Sequence, residues 1–468
     1  MGSLIALLDI SRQSLLDNQA ALNIVSNNVA NQNTPGYTRE VATWQTEDSV
    51  NINGISIGIG ASISAVSQRD RVLEQRVQQQ TQVQSQSAAL STALTQIEDI
   101  FGLSATTTSA ASSSLGTSID SFFNSFSTLA SNPSDSTIRQ SVLSIANTLA
   151  GTFNSVSSQL STISSSLDQQ VGTIVGQVNS LTATIASLNQ KISSLSPNAD
   201  AGTLEDQRQQ AISQLSQYVG LNQITTENNG IALTTSSGAV LVSGGTSYPI
   251  TTSNIGGSTH ILAGAGTQQD VTATLTGGQL GGILDARDQQ IPAFQSQLDQ
   301  LAFAIGTAVN QQNQQGLDAN GNPGQAIFNL PATAAGAAAS ISVATTNPQA
   351  VAAAATGEGS SGNSNATALS KLATTNIVSG ETASGFLAAF IGQVGNAAAS
   401  ASTNSTAQQA TLAQLTTQVN SLSGVSLDEE AANLTQYQRA YEAASKVFTI
   451  VDTLLANAIN LGEQTTVS

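Results

Sequence analysis

Apolar residues recur every seven positions at both ends of the chain. The N-terminal set is Leu8, Leu15, Leu22 and Val29, with the companions Leu4, Ser11, Asn18 and Val25. The C-terminal set is Leu427, Leu434, Tyr441, Phe448 and Leu455, with the companions Tyr437, Ala444, Val451 and Ala458. Such a repeat is typical of helices that pack along one seam, and an isolated helix is only marginally stable in water. We therefore expect helices over 4–29 and 427–461 that pack against each other.

Most of the chain between these ends is also predicted to be helical. Amphipathic helical patterns cover 68–101, 203–218, 280–312, a short segment from about 365, and 381–423. The longest pattern runs from Asn132 to Pro197, and we interpret it as one long helix; two helices with a break near Gly172 are the alternative. The sequence from Thr203 to Asp206 resembles a capping box that opens the next helix. The Ser/Thr/Ala-rich segment 103–117 is predicted to be a loop.

Three segments are predicted to contain β-strands. Residues 45–66 alternate apolar and polar side chains around Asn53-Gly54, which indicates a hairpin. Residues 221–276 have many glycines and alternating β-branched residues, which is typical of a small antiparallel β domain. The Gly/Ala/Asn-rich segment 314–364 includes a probable strand in ISVATTNP.

These patterns predict a mainly α protein with inserted β segments. The paired terminal helices, 1–33 plus 427–468, form one domain. A helical bundle domain takes 34–220, 277–313 and 365–426, and it includes the hairpin 45–66. The β domain at 221–276 and the insertion at 314–364 complete the predicted organisation.

A compact polar turn follows the first helix, in the stretch NQNTPGYTR at 31–39. Pro35 presets φ at the second turn position, and Gly36 accepts a positive φ at the third. We therefore expect a tight turn from Thr34 to Tyr37 that redirects the chain as it leaves the terminal helix.

Composition excludes several classes of protein. Only 9% of the residues are charged, against about a quarter in average proteins. The net charge of −17 argues against nucleic acid or anionic lipid as a partner. The absence of cysteine excludes disulfides and thiol chemistry, and the single histidine, His260, is interpreted as an exposed strand or loop residue. No apolar run reaches the ~18 residues of a membrane span, and the N-terminus lacks the basic segment of a cleaved signal peptide.

Three polar motifs have residue types that also occur in metal-binding or catalytic sites. GLDANGNPG at 316–324 places Asp318, Asn320 and Asn322 at calcium-loop spacing, but Pro323 and Asn329 break that pattern, so a polar turn is expected. The acids Asp285 and Asp288 are interpreted as a solvated helix face. The acids at 428–430 suit the first turn of a helix, where they complement its dipole. We therefore predict no catalytic, cofactor-binding or metal-binding residues.

Both chain ends resemble one protein family. LNIVSNNVANQNTPGYTRE at 22–40 resembles the N-terminal signature of flagellar rod, hook and hook-associated proteins. VSLDEEAANLTQYQRAYEAASKVFTIVDTLL at 425–455 is similar to the C-terminus of the hook-associated members. The internal segments 204–221, 281–302 and 308–324 are similar to theirs in the same order.

The resemblance implies a structural axial protein of the bacterial flagellum at the junction of hook and filament. It implies an extracellular location, type III export without a cleaved signal, and helical self-assembly. The implied partners are the hook protein, hook-associated protein 3 and an export chaperone, for which the last helix is the candidate site. Asn27, Asn28, Asn31 and Asn33 would lie where subunits pack. A hook or rod protein and a secreted coiled-coil adhesin remain the alternatives.

Overall fold

A computed structural model of the protein describes residues 2–52, 55–58, 60–102, 111–195, 202–226, 229–359 and 361–464. The two terminal helices are α1, Gly2–Asn31, and α11, Leu427–Gln464, and they pack against each other. The predicted pairing of the chain ends is therefore confirmed.

Two short ladders follow α1 in the sequence. Strand β1, Glu40–Thr46, pairs antiparallel with β4, Ala61–Ser67, and between them β2, Ser49–Ile52, pairs with β3, Ile55–Gly58. This confirms the predicted hairpin, although its tip at 53–54 lies outside the described residues. The first ladder packs on α1, so it connects the terminal helices to the rest of the chain.

Long helices build the body of the molecule. They are α2, Arg71–Ile100; α3, Ala111–Ser131; α4, Ser136–Ser193; and α5, Thr203–Tyr218. Helix α4 runs unbroken for 58 residues, so the predicted single long helix is confirmed and the alternative break at Gly172 is wrong. Asp135 caps it by accepting hydrogen bonds from the backbone N–H groups of Thr137 and Ile138.

Two local predictions in this region were wrong. Residues 111–117 belong to α3, because Leu115, Ile119 and Phe122 place an apolar face in the core despite the Ser-rich sequence. Helix α5 has the predicted bounds but no capping box: Gly202 is its N-cap, and no side chain caps it. The Asp206 carboxylate instead accepts a hydrogen bond from the backbone N–H of Thr38, far away in the sequence.

The region 221–276 forms two antiparallel sheets. The first has the strand order β5, Leu221–Thr225; β6, Ile231–Thr235; β7, Val240–Ser243; and β8, Thr246–Ser247. The second places β10, Ser258–Ala263, between β9, Thr251–Ile255, and β11, Gln269–Asp270. Leu233, Val242 and Ile261 belong to the same hydrophobic cluster as the helices. The β region thus shares its core with α4, and its division into a separate domain stays a prediction.

After the β region, two helices follow that are joined by a π-helical turn. Helix α6, Gly278–Asp285, continues through the π turn Ala286–Gln290 into α7, Ile291–Gln315. Short elements fill the insertion: β12, Gly316–Leu317; β13, Phe328–Asn329; α8, Ala337–Ser340; β14, Ser342–Val343; and β15, Ala354–Ala355. Helices α9, Ser364–Lys371, and α10, Ala383–Ser423, lead to α11, as the patterns predicted.

Candidate assembly site

The seam between α1 and α11 contains most of the predicted residues. Ser11, Asn18 and Val25 of α1 are buried, while Leu8, Leu15 and Leu22 are half-buried beside them. On α11, Ala444 and Val451 are buried, and the half-buried positions are Leu434, Tyr437, Phe448 and Leu455. The polar members of the α1 seam bond back to their own helix: Ser11 Oγ donates to the Leu7 carbonyl, and Asn18 Nδ2 donates to the Ser14 carbonyl.

Three predicted seam residues are exposed in the folded chain. Val29 is 40% exposed, Leu427 49% and Tyr441 38%. Val29 lies in the last turn of α1, and Leu427 is the first residue of α11.

Apolar residues also cover a face of α11 that α1 does not reach. Val447, Ile450 and Leu454 are spaced three and four residues apart, so they lie on one face of the helix, and they are 46%, 59% and 49% exposed. We call these three residues the outer stripe. Ile5 and Leu16 on α1 are exposed to a similar degree. The terminal pair thus has exposed apolar residues in addition to its seam. Two helices that pack only against each other need a single apolar seam.

The turn after α1 forms as the sequence predicts. Gly36 has φ of +79°, and the Tyr37 backbone N–H donates to the Thr34 carbonyl at 3.1 Å. A Cβ at Gly36 would make only an ordinary contact, 3.8 Å from Gln210 Cβ. Glycine is therefore needed there for its backbone conformation and not for space.

Asn28 fixes the chain that leaves the turn. Its side chain is buried; Nδ2 donates to the Glu40 carbonyl at 2.8 Å, and Oδ1 accepts from the Tyr37 hydroxyl at 2.8 Å and the Glu40 backbone N–H at 3.0 Å. These three bonds hold the Asn28 side chain against its own chain, and its packing between subunits stays a prediction. Burial beside the carboxylates of Glu40, Asp206 and Glu430 raises the pKa of the Tyr37 hydroxyl, which therefore stays protonated as a donor.

The other asparagines differ in exposure. Asn31 Nδ2 donates to the side-chain oxygen of Asn27 at 2.8 Å, and Asn31 Oδ1 accepts from Thr34 Oγ1 at 3.2 Å. Asn27 and Asn33 are exposed, and Pro35 beside the turn is exposed as well. Their packing against a neighbouring subunit stays a prediction.

Arg39 links the two chain ends where they join the body. Its Nε donates to Glu430 Oε1 at 2.7 Å and its Nη1 to Glu429 Oε2 at 2.5 Å, while its backbone N–H donates to the Ser423 carbonyl at 3.0 Å. The Glu430 side chain is 1% exposed and that of Arg39 is 13% exposed. The interpretation of the acids at 428–430 through the helix dipole was therefore incomplete, because two of them bind a specific arginine 390 and 391 positions away.

A second ionic cluster lies directly behind the turn. Arg69 binds the Asp206 carboxylate through Nη2, and Asp206 also accepts from the Thr38 backbone N–H. Arg69 Nη1 is 3.7 Å from Glu74 Oε2. Burial raises the pKa of Glu74 to about 7, and Arg69 opposes that shift only in part. This cluster connects α2 and α5 to the segment around Thr38, which leads from the turn into β1.

An aromatic contact adds to the connection. The rings of Trp44, on β1, and Tyr437, on α11, have centroids 6.4 Å apart. The hairpin therefore contacts both terminal helices, and the joint between the terminal pair and the body is formed by groups from five elements: α1, β1, α2, α5 and α11.

The polar motifs weighed as chemical sites have structural roles. Asp318 Oδ1 accepts from the backbone N–H groups of Asn320 and Asn322, so the calcium-like loop is a polar turn, as expected. His260 lies on β10 and its Nδ1 is 2.6 Å from Asp270 Oδ2, so it is half-buried and paired where exposure was expected. Over the described residues, no group of three or more acidic or histidine side chains is arranged to hold a metal ion.

The interpretation of Asp285 and Asp288 as a solvated helix face is only partly correct. Asp288 is exposed, but Arg287 between them is buried in the π turn and donates to Asp168 Oδ1 and the Thr259 carbonyl. It thereby connects α4, the second sheet and α7. In the part of the chain that the structure describes, no helix is both long and apolar enough to cross a membrane.

Sequence reasoning missed Arg39, Arg69 and Asp206 as structural residues. Their partners are more than a hundred residues away in most cases, and single-sequence patterns contain no information about such pairs. The one available signal was the run of charged residues from Arg69 to Arg76, in a chain that is otherwise poor in charge.

Comparisons with known proteins match different parts of the chain. Residues 94–328 match the family described as the flagellar hook-associated protein FlgK helical domain. Residues 8–38 match the flagella basal body rod protein family, and residues 417–461 match the C-terminal family of the basal body rod FlgEFG proteins. The two ends of the chain thus match families of flagellar basal body rod proteins, while residues 94–328 match a hook-associated domain.

Individual relatives agree with these matches. "Flagellar hook-associated protein 1" of Bacillus subtilis is 28% identical over 500 residues, covering 97% of each chain. The protein of the same name from Salmonella typhimurium is 29% identical over 325 residues, covering 67% of this chain and 57% of that relative. The chain therefore spans less than two thirds of the length of the Salmonella relative.

A solved structure supports the fold. The flagellar hook junction protein FlgK from Burkholderia pseudomallei superposes with a TM-score of 0.67 at 21% identity, covering 74% of this chain and all of that one. The helical-domain match extends over half of the sequence, between terminal segments that match flagellar basal body rod families. The chain thus belongs to the flagellar hook-associated protein FlgK family.

Proposed function

We propose that this protein is a structural, axial component of the bacterial flagellum that joins the hook to the filament and has no catalytic step. The observation that carries the proposal is the terminal pair, whose α11 exposes the outer stripe of Val447, Ile450 and Leu454. Three exposed aliphatic side chains on one helical face lose contact with water when another subunit covers them, and burial of apolar surface drives association. The charge-poor surface adds little electrostatic repulsion between identical subunits.

The joint behind the terminal pair supports a mechanical role. The segment after the turn is held at three points. Arg39 binds it to α11, the Asn28 side chain binds it to α1, and the Asp206 carboxylate binds it to α5. Buried hydrogen-bonded charges fix one geometry, since any displacement leaves a charge unpaired. The orientation of the terminal pair relative to the body is therefore defined in each subunit, as assembly into a regular helical array requires.

The proposed partners are further copies of this chain, the hook protein on one side and hook-associated protein 3 on the other. The proposed location is extracellular, at the hook–filament junction, after type III export without a cleaved signal. An export chaperone is proposed to bind α11 through Leu434, Phe448 and Leu455. These residues face α1 in the structure, so chaperone binding and pairing of the termini would exclude each other.

Truncation of the chain tests the proposal. Purified hooks are incubated with the full chain or with a chain that lacks residues 1–33, and the protein that sediments with the hooks is measured. This arrangement does not depend on export. The full chain should sediment with the hooks; the truncated chain should stay in solution while circular dichroism shows that its body remains helical. Equal sedimentation of the two chains would contradict the proposal.

The same truncation has an expected outcome in cells. A strain carrying only the chain without 1–33 should form hooks without filaments and should release flagellin into the medium. The chaperone proposal is tested separately by Leu434→Asp with Phe448→Asp, which should abolish capture of the chaperone. Unchanged capture would place the chaperone site elsewhere without affecting the assembly proposal.

A further inference from the structure

Among the residues that the structure describes, four buried polar atoms without a hydrogen-bond partner belong to side chains around one small cavity. The atoms are Arg69 Nε, Arg208 Nε, Gln78 Nε2 and Gln223 Oε1. The cavity has a volume of about 30 Å³ and lies between the start of α2, helix α5 and the hairpin of β5 and β6. Buried polar groups are nearly always paired in native proteins, so four such atoms at one place indicate a bound group.

The two arginines are oriented by other contacts. Arg69 uses its terminal nitrogens for Asp206, Thr38 Oγ1 and Glu74, and Arg208 uses Nη1 for Asn189 Oδ1 at 3.0 Å and the Asn229 carbonyl at 2.6 Å. Both side chains are buried, and neither can turn without losing these bonds. The Nε–H groups are therefore fixed donors, since a guanidinium has no acceptor atom.

The charge around the cavity favours an anion. Three arginines line it, Arg69, Arg71 and Arg208, together with two acids, Glu74 and Glu205. Burial lowers the pKa of Arg208 to about 10, which leaves it charged at neutral pH. The hairpin side contributes only the neutral groups of Gln223, Thr225 and Asn229 among the described lining residues. When both acids are ionised, the lining is positive by one charge, which Asp206 balances from outside the lining. When Glu74 is protonated, the same groups carry one excess positive charge, and that state favours an anion.

We propose that this cavity binds a small monovalent anion of halide size, held by the Nε–H groups of Arg69 and Arg208 and by the Gln78 amide. Its volume suits a single small guest, because a cavity needs only about 10–15 Å³ of such space to hold one water molecule. The Gln223 amide supplies a further donor when its oxygen and nitrogen are exchanged, an orientation that hydrogen-bond partners decide. The anion joins α2, α5 and the β5–β6 hairpin directly behind the turn at Thr34–Tyr37.

Protonation of Glu74 couples to this site. Its carboxyl lines the cavity and has a pKa of about 7 because it is buried. When pH falls through 7, Glu74 takes up a proton, the negative charge beside the cavity disappears, and the arginines regain an excess positive charge. Anion affinity should therefore increase from pH 8 to pH 6.

Bromide diffraction is the direct test. Crystals of the full chain are grown at pH 6 with sodium bromide in place of chloride, and data are collected at the bromine absorption edge. We expect an anomalous peak in the cavity within hydrogen-bond distance of Arg69 Nε and Arg208 Nε. Ordinary water density there without an anomalous peak would show that the cavity is a hydration site and would overturn the proposal.

A solution experiment separates this site from adventitious ions. The melting temperature of the full chain is measured in sodium chloride and in sodium gluconate at equal ionic strength, because the gluconate anion is too large for the cavity. Chloride should raise the melting temperature in a saturable manner, more at pH 6 than at pH 8. The increase should be lost in Gln78→Met and kept in the control Gln79→Met, which makes the same change at the adjacent, exposed position of α2. Equal melting temperatures in the two salts, or equal chloride effects in all three proteins, would contradict the proposal.

Discussion

The guanidinium of Arg39 donates to the buried carboxylate of Glu430 at 2.7 Å, across 391 positions of sequence. Arg39 follows the first helix and its turn, and Glu430 lies in the first turn of the last helix. One ion pair therefore joins both chain ends at the level where the terminal pair meets the body. It fixes the relative position of two helices whose seam contains polar residues at Ser11 and Asn18 and so provides less stabilisation than a continuous apolar seam.

Removing the arginine should destabilise this joint strongly. In Arg39→Met the Glu430 carboxylate stays buried without its partner, which costs about 3 kcal/mol of the free energy of unfolding. Denaturant unfolding followed by circular dichroism measures this loss. The control is Arg12→Met, which breaks the exposed pair with Asp9 and should change stability by less than about 0.5 kcal/mol. Similar effects of the two variants would show that Arg39 contributes nothing specific.

The turn at Gly36 should tolerate alanine poorly. Because φ is +79° there and a Cβ would make only ordinary van der Waals contacts, Gly36→Ala should cost about 1 kcal/mol through backbone strain alone. Gly172→Ala is the matched control, since Gly172 lies in the middle of α4 with open space around it and alanine favours helix by about 1 kcal/mol. Opposite signs are expected in thermal unfolding, and a neutral Gly36→Ala would refute the role assigned to the turn.

Glu74 should make stability depend on pH in an unusual direction. Between pH 4.5 and about 7 the folded protein keeps a proton that the unfolded chain releases, so the free energy of unfolding decreases as pH rises through this window. Glu74→Gln should remove this dependence and should exceed the parent protein in stability above pH 7 by on the order of 1–3 kcal/mol. The measurement is urea unfolding at a series of pH values, with the exposed Glu442→Gln as the control. Parallel pH profiles for the parent and Glu74→Gln would count against a buried, protonated carboxyl.

The terminal pair should be the least protected part of the free subunit. Helices α1 and α11 bury only one seam and leave Ile5, Leu16 and the outer stripe in water, whereas α4 places its apolar face in the main core. Hydrogen–deuterium exchange of the monomer should be faster at 1–30 and 435–464 than at 142–192. Equal protection of these segments would mean that the pair is stable without neighbouring subunits.

Periodic patterns in the sequence predicted the helices well. The periodic patterns located α1, α4 and α11, and the bounds agree closely where a turn signal borders the helix, as Thr34-Pro35-Gly36 does after α1 and Asn132-Pro133 before α4. Helix α3 was not predicted: 103–117 was expected to be a loop because Ala111 to Gly116 has few large apolar residues, and no helix was assigned to 118–131. Tertiary packing of Leu115 and Ile119 extends the helix there, and packing overrides weak local propensity.

The joint could not be predicted in the same way. Asn28 appeared as one of several polar residues near a turn, and nothing local distinguishes it from Asn27, which is exposed. Its burial results from the return of β1 along α1, a contact of the folded chain. The charged groups Arg69 and Asp206 similarly meet only because α2 and α5 pack together, so their positions follow from the fold and not from spacing.

The central claim is that the terminal pair is the assembly element. Its most direct test is filament growth in cells whose protein carries substitutions in the outer stripe. A strain carries only the full chain with Ile450→Asp and Leu454→Asp, and filaments and bare hooks are counted by electron microscopy. The control carries Thr173→Asp and Gln177→Asp, which add the same charge to exposed positions of α4. Both purified variants should remain folded, because all four positions are exposed. The account predicts bare hooks for the outer-stripe variant and normal filaments for the control; normal filaments on both would contradict it.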